Sequence, residues 1–286
     1  GSCDDGKADY GRYRAVGTRA EIQSESGSGQ HVKVSEMNRH ILWIDGVNSA
    51  VMGALVLAEI PDAIPVHCDL GSSVHEDSHR FINDLERWYG KPIVRIKSEK
   101  YNSVDEVFEA RKYLSGVTGA PCTGEMKFVP RMNFQLPSDI HYWGYASDWR
   151  DTKRFKTMQK SYPLLKQRAP LIDLGMRKSD THGYLADCGI KRPIVYDLGM
   201  PNGNCLCCVK ATSPNYWAHQ RLHFPEVFAR RAAQCRRYGA KLTRINGVRI
   251  FIDEIPDDWP TEIKDNFGGC GFHCATENVP QTWYDL

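Results

Sequence analysis

The apolar positions change period along this chain, and the changes mark its elements. Ile41-Leu42-Trp43-Ile44 is a continuous apolar run. Such a run is expected of a strand buried on both faces, as in a parallel sheet. Asp45-Gly46-Val47-Asn48-Ser49 reads as a turn, and Ala50 to Glu59 as a helix with an apolar face. Ile64 to Leu70 is a second predicted strand. Glu76 to Tyr89 is an amphipathic helix, with Phe81, Ile82, Leu85 and Trp88 at helical spacing. Pro92 to Ile96 is a third strand, and Val104 to Leu114 another helix. Further on the alternation weakens, with His141 to Tyr145 as a strand and Ser179 to Cys188 as a helix. Successive strand–helix units predict an α/β fold, a doubly wound parallel sheet with helices on both faces. Sheets of this kind bind ligands at the carboxyl ends of their strands.

The ends of the chain read differently. Residues 1–30 show little apolar periodicity, open on Gly1-Ser2 in the manner of an expression scar, and carry Ser24-Glu25-Ser26-Gly27-Ser28-Gly29. Beyond about residue 195 come a basic helix from Tyr216 to Arg237 and a hairpin-like stretch, Leu242 to Ile252, turning at Asn246-Gly247. The expected division is a flexible arm or tag over 1–37, an α/β nucleotide-binding domain over 38–195, and a cysteine-rich helical segment with a tail over 196–286.

Composition narrows the function classes. The 286 residues are 41% hydrophobic and 25% charged, which excludes wholesale disorder. With 37 basic and 35 acidic residues the net charge is +2, so bulk charge points to neither nucleic acid nor a membrane surface. The longest apolar run, Ala50 to Ile60, is broken by Gly53 and Glu59, so no membrane span is expected. No signal-peptide pattern is read at the start, and a cytoplasmic location is expected. The ten cysteines change the picture. They are Cys3, Cys68, Cys122, Cys188, Cys205, Cys207, Cys208, Cys235, Cys270 and Cys274. Five fall in two short stretches, which favours metal or redox chemistry over a disulfide framework.

Several residues carry candidate chemistry. The loop from Ile44 to Ser49 joins a strand to a helix, so its N–H groups and the Ser49 hydroxyl could meet an anion, with Gly46 and Asn48 beside it. Asp45 would repel that anion. The plainer reading is that Asn48 or Ser49 caps the helix. Lys127, Arg150 and Arg154 could bond phosphate or sulfate oxygens, or be surface charge. Cys205-Leu206-Cys207-Cys208 holds a C-x₂-C pair, and tetrahedral zinc or a [4Fe–4S] cluster needs four such ligands. His67 and His75 flank the second strand's end and read as packed or surface residues. Arg221, Arg230, Arg231, Arg236 and Arg237 on the basic helix could meet nucleic acid, with a solvated face as the default. Trp143, Trp149, Tyr216 and Trp217 read as packing residues, with stacking of one on adenine left open.

Taken in order, these pieces resemble a known family over roughly residues 38–275. Val66 to Gly71, Phe81 to Pro92, Ala120 to Lys127, Gly144 to Arg150 with Arg154, and Pro170 to Asp173 are similar to the sulfonucleotide (PAPS and APS) reductases, especially short phage- and prophage-type members. These belong to the PP-loop adenine-nucleotide α-hydrolase-like superfamily, which has a Rossmann-like sheet. In the PP-loop, Gly46 and Ser49 match, while Ile44, Asp45 and Asn48 stand where Ser, Gly and Asp would be. The resemblance implies that Asp69 faces an adenine nucleotide and that Lys127, Arg150 and Arg154 hold its anionic groups. It implies a [4Fe–4S] cluster on Cys122, Cys205 and Cys208, with zinc as the alternative. Thr123 replaces the family's second cysteine, so the fourth ligand is open among Cys274, Cys207 and Cys68, with Cys274 the first choice. Cys270-Gly271-Phe272-His273 resembles the family's mobile tail, in which Cys270 would attack the nucleotide's sulfur and His273 would support charge. Here Phe267-Gly268-Gly269 stands where the family has Lys-Thr-Glu, and Cys270 and Cys274 could instead both be ligands. A thioredoxin-like reductant would release sulfite. The expected activity is that of a PAPS reductase-like oxidoreductase. Its rivals are a PP-loop ATP pyrophosphatase for nucleobase or tRNA modification, and a diverged non-catalytic nucleotide- or nucleic-acid-binding regulator or defence factor. A homo-oligomer is left open.

Overall fold

The computed structural model describes residues 38–116 and 119–264. The expected arm over 1–37, Cys3, Cys270, His273 and Cys274 lie outside them. The apolar run at 41–44 does become a central strand. His40–Trp43 (β1) pairs with Ile64–Cys68 (β2) on one side and Ile140–Tyr142 (β4) on the other. Val94–Ile96 (β3) pairs with β2, and Lys166–Arg168 (β5) with β4. All pairings are parallel, in the order β3-β2-β1-β4-β5. The chain therefore winds outward from β1 to β3, returns to the far side of β1, and winds outward again. The point of reversal lies between β1 and β4.

Helices cover both faces, as the doubly wound reading requires. Val47–Glu59 (α1) follows β1, Glu76–Tyr89 (α2) follows β2, and Val104–Arg111 (α3) follows β3. Pro121–Thr123 (α4) runs through a π-helical turn, Gly124–Phe128, into Val129–Phe134 (α5). Trp149–Ser161 (α6) follows β4. Pro170–Asp173 (α7) and Lys178–Asp187 (α8) follow β5. Alternation along β1 feeds two cores. Leu42 joins Val51, Met52, Phe81, Leu85 and Leu185 on one face, while Ile41 joins Trp43, Val66, Phe128, Trp143 and Tyr162 on the other.

A third cluster unites α3 with the C-terminal segment. After Ile194–Asp197 (α9) come Pro214–His223 (α10) and Pro225–Arg237 (α11). Val107, Phe108, Cys207, Tyr216, Trp217 and Cys235 are buried together there. The basic helix expected over 216–237 is two helices. Pro225 bars Phe224 from the helical region, and Phe224 takes φ −137°, ψ 57°. Thr243–Ile245 (β6) and Val248–Ile250 (β7) form the expected hairpin, with Asn246 and Gly247 both at positive φ. Among the described residues no helix is long and apolar enough to cross a membrane.

Among the elements that the pattern did not predict, α6 and β5 have a plain reason. Of α6 only Met158 is buried, and β5 is Lys-Gln-Arg at the sheet edge, so neither carries an apolar pattern. Glycine in α8 offers a stability test. A Cβ at Gly183 would meet nothing within 4 Å, so Gly183→Ala is expected to stabilise the fold by about 0.5–1 kcal/mol in urea denaturation.

Candidate functional site

The cleft opens where β1 and β4 end, at the reversal of strand order. That is the crevice where open α/β sheets receive ligands. It is lined by Trp43, Asp45 to Ser49, Trp143 to Tyr145, Asp151, Arg154, Lys178, Tyr196 and Asn202 to Asn204. It encloses about 140 Å³. That is below the usual several hundred Å³ of a site enclosing a whole small ligand, so only part of a ligand would be enclosed.

The first loop is shaped by its own serine. Ser49 Oγ accepts the N–H groups of Asp45 at 2.8 Å and Gly46 at 3.0 Å, and donates to Gly46 O at 2.9 Å. Ser49 thus organises the start of α1, as the capping reading expects, while still lining the cleft. Thr181 Oγ1 donates to Asn48 Oδ1 at 2.7 Å, anchoring that side chain on α8. The expected repulsion by Asp45 has an answer. Lys127, only 3% exposed on the π-helical turn, pairs with Asp45 at 2.9 Å. Gly144 lets β4 approach this loop: a Cβ there would lie 2.5 Å from Ser49 N and Cα.

Two cations reach the cleft. Arg154 pairs with Asp151 at 2.8 Å and lies over the Tyr145 ring at 5.4 Å. Lys178, at the start of α8, was missed by sequence reasoning. It donates to Asn202 Oδ1 at 2.9 Å and also to Pro201 O. Burial pushes its pKa below the usual lysine range. Asp151 and Asp148 oppose that shift, and Arg154 adds to it. The signal was its position: a basic residue beside the start of a predicted helix is suited to an anion.

Other expected site residues separate. Gly46, Asn48, Ser49 and Arg154 line the cleft. Lys127 acts through Asp45. Asp69 accepts the Gly71 N–H at 2.8 Å, shaping the turn after β2, and is not among the lining residues. Arg150 is exposed beside the Trp149 ring and is not a lining residue either. His67 is buried against Ile44 O at 2.9 Å, and His75 caps α2 through the Asp77 N–H. Both are structural.

The cysteine loop is pinned by its backbone. Leu206 N–H donates to Ser73 O at 3.0 Å, Cys207 N–H to Gln220 Oε1 at 2.7 Å, and Cys208 N–H to Tyr216 Oη at 2.7 Å. Cys207 sits at φ 49°. Its side chain is buried, and burial pushes the thiol up to about 12. Cys122, Cys205 and Cys208 are half-buried thiols against the same apolar cluster. Cys68 belongs to a different core, where burial likewise pushes it up to about 12. Among the described residues, no group of three or more His, Cys, Asp or Glu is arranged to hold a metal ion.

The arginines of α10 and α11 have acidic partners. Arg221 lies 3.2 Å from Asp257, Arg230 and Arg231 each 2.8 Å from Asp105, Arg236 3.0 Å from Asp253, and Arg237 2.8 Å from Glu109.

Comparison with protein-family models and with curated proteins found no match.

A buried histidine lies within β4. His141 Nδ1 accepts the Trp43 indole N–H at 3.0 Å, and its ring stacks on Trp43 and on Trp143, each at 6.0 Å. Only neutral imidazole can accept that bond. Burial, then the Arg131 charge, push His141 down to about 4. The folded state therefore binds fewer protons than the unfolded chain between about pH 4 and 6.5. Its contribution to stability is full above pH 6.5 and is lost as pH falls through about 4. Urea midpoints are expected to drop across that range, and less steeply in His141→Gln.

Proposed function

We propose that this protein is a sulfonucleotide-reductase-like enzyme. It binds a sulfated adenine nucleotide with the anionic end in the cleft between β1 and β4. One observation supports this above the others. At the topological switch point, the start of α1, Arg154 and Lys178 converge on one cleft, with Lys127 offsetting Asp45. Cations at a helix start suit a phosphate or sulfate.

The chemistry rests on the resemblance of the tail. Cys270 as thiolate would attack the sulfuryl sulfur. The S–O bond to the nucleotide breaks, an S–S bond forms, and the nucleotide leaves with its phosphate oxygen. A second thiol would then attack Cys270 Sγ and expel sulfite, and a thioredoxin-like dithiol would reduce the resulting disulfide. A cluster on Cys122, Cys205, Cys208 and Cys274 belongs to this reading through the family resemblance, and iron analysis after anaerobic purification tests it. The test of the activity is transfer of ³⁵S from labelled APS or PAPS to the protein. Label on Cys270, lost in Cys270→Ser, is expected. Nucleotide binding without labelling would sink the reductase reading.

A magnesium–ATP reading has one point in its favour, since Asp45 and Asp151 both line the cleft. Both carboxylates are engaged by cations, which weakens it. Pairing of the α10 and α11 arginines weighs against a nucleic-acid surface on those helices.

A further inference from the structure

Tyr196, in α9, holds the loop at Gly203 beside the start of α1 through its hydroxyl oxygen. Its hydroxyl accepts the Gly203 N–H at 3.1 Å, and the Val47 backbone N–H acts on it electrostatically. Space for the oxygen comes from Gly46, with Gly203 in ordinary contact. A Cβ would lie 2.9 Å from it at Gly46 and 3.4 Å at Gly203. The ring is fixed by His182, edge-on at 5.0 Å, and the Lys178 ammonium lies 6.0 Å from its centroid.

A phenol oxygen has two acceptor positions and one proton. Here the Gly203 N–H occupies one acceptor position, so the proton points away from it. Among the described residues nothing accepts it, and Tyr196 lines the cleft. Burial pushes the phenol up to about 12, so it keeps that proton through the working pH range. A donor facing the cleft without a protein acceptor is free to meet a bound oxyanion.

We propose that Tyr196 is an anion-binding residue, its phenolic O–H donating to a phosphoryl or sulfuryl oxygen seated between Lys178 and the start of α1. This deepens the nucleotide reading and rests on it only for what carries the anion. The Gly203 N–H bond and the edge-on His182 ring orient the phenol before the ligand arrives.

Calorimetric titration of the full chain with inorganic sulfate and with adenosine 5′-phosphosulfate tests this in three forms: wild type, Tyr196→Phe, and the chain carrying 3,5-difluorotyrosine at 196. Fluorination makes the phenol a better donor and a poorer acceptor. At a pH where it stays protonated, the fluorinated chain is expected to bind both probes more tightly. Tyr196→Phe is expected to bind both roughly 5- to 30-fold more weakly. Weaker binding by the fluorinated chain, or unchanged binding by Tyr196→Phe, would overturn the proposal and leave the phenol as a tie between loops. Sulfate binding that follows both variants without any nucleotide binding would support Tyr196 and refute the nucleotide reading. Nucleotide binding indifferent to both variants would refute Tyr196 alone. A wild type that binds neither probe would refute both.

Discussion

Replacing Lys178 by alanine is expected to weaken binding of adenosine 5′-phosphosulfate by roughly 10- to 100-fold. A charge-assisted hydrogen bond contributes about 1.5–3 kcal/mol, and each 1.4 kcal/mol is a factor of ten. Lys178 should stand at the upper end because it is partly desolvated where it lines the cleft. Its depressed pKa adds a signature in pH. Affinity for an anion should hold while the ammonium is charged, and fall as pH rises through the lowered value, sooner than an ordinary lysine allows. Stability of the unliganded protein should move the other way. Between the lowered folded value and the usual 10.5 the unfolded chain binds more protons, so stability rises with pH there. Affinity and stability measured against pH, in wild type and Lys178→Ala, should differ by these opposite slopes.

Gly144→Ala should be the most damaging single methyl in the described fold's centre. The added Cβ would meet Ser49 N and Cα at 2.5 Å and Ser49 Cβ at 2.7 Å. Backbone atoms cannot rotate aside as a side-chain tip can, so α1 must move off β4. Overpacking of this kind costs about 1–3 kcal/mol and sometimes more. The shift would also pull the α1 start out of register with Arg154 and Lys178, so nucleotide affinity should fall with stability. Urea denaturation and calorimetry on the same preparation check both. Gly183→Ala, which meets nothing, serves as the control.

The sequence made the centre of the fold legible and its edges obscure. Ile41 to Ile44 and the Phe81, Ile82, Leu85 face carry strong periodicity because both faces of β1 and one face of α2 are buried. The strand β5 carries none because an edge strand of three polar residues buries almost nothing. The site followed the same logic. Gly46 and Ser49 were found because a strand–turn–helix pattern points to them, and Arg154 through the family resemblance. Lys178, Tyr196 and Asn202 to Asn204 come from far along the chain, and only folding brings them to the same cleft. Asp69 and Arg150 sit near the right strand ends, yet neither lines the cleft. A strand end gives a residue's neighbourhood but not its direction.

Photoaffinity labelling with 8-azidoadenosine monophosphate, followed by peptide mass spectrometry, tests the placement of the nucleotide most directly. Saturable label, displaced by adenosine 5′-phosphosulfate, is expected on peptides carrying Trp43 to Ser49, Trp143 to Arg154 or Tyr196 to Asn204. No saturable labelling, or saturable label confined to α10 and α11, would contradict a nucleotide site at the switch point.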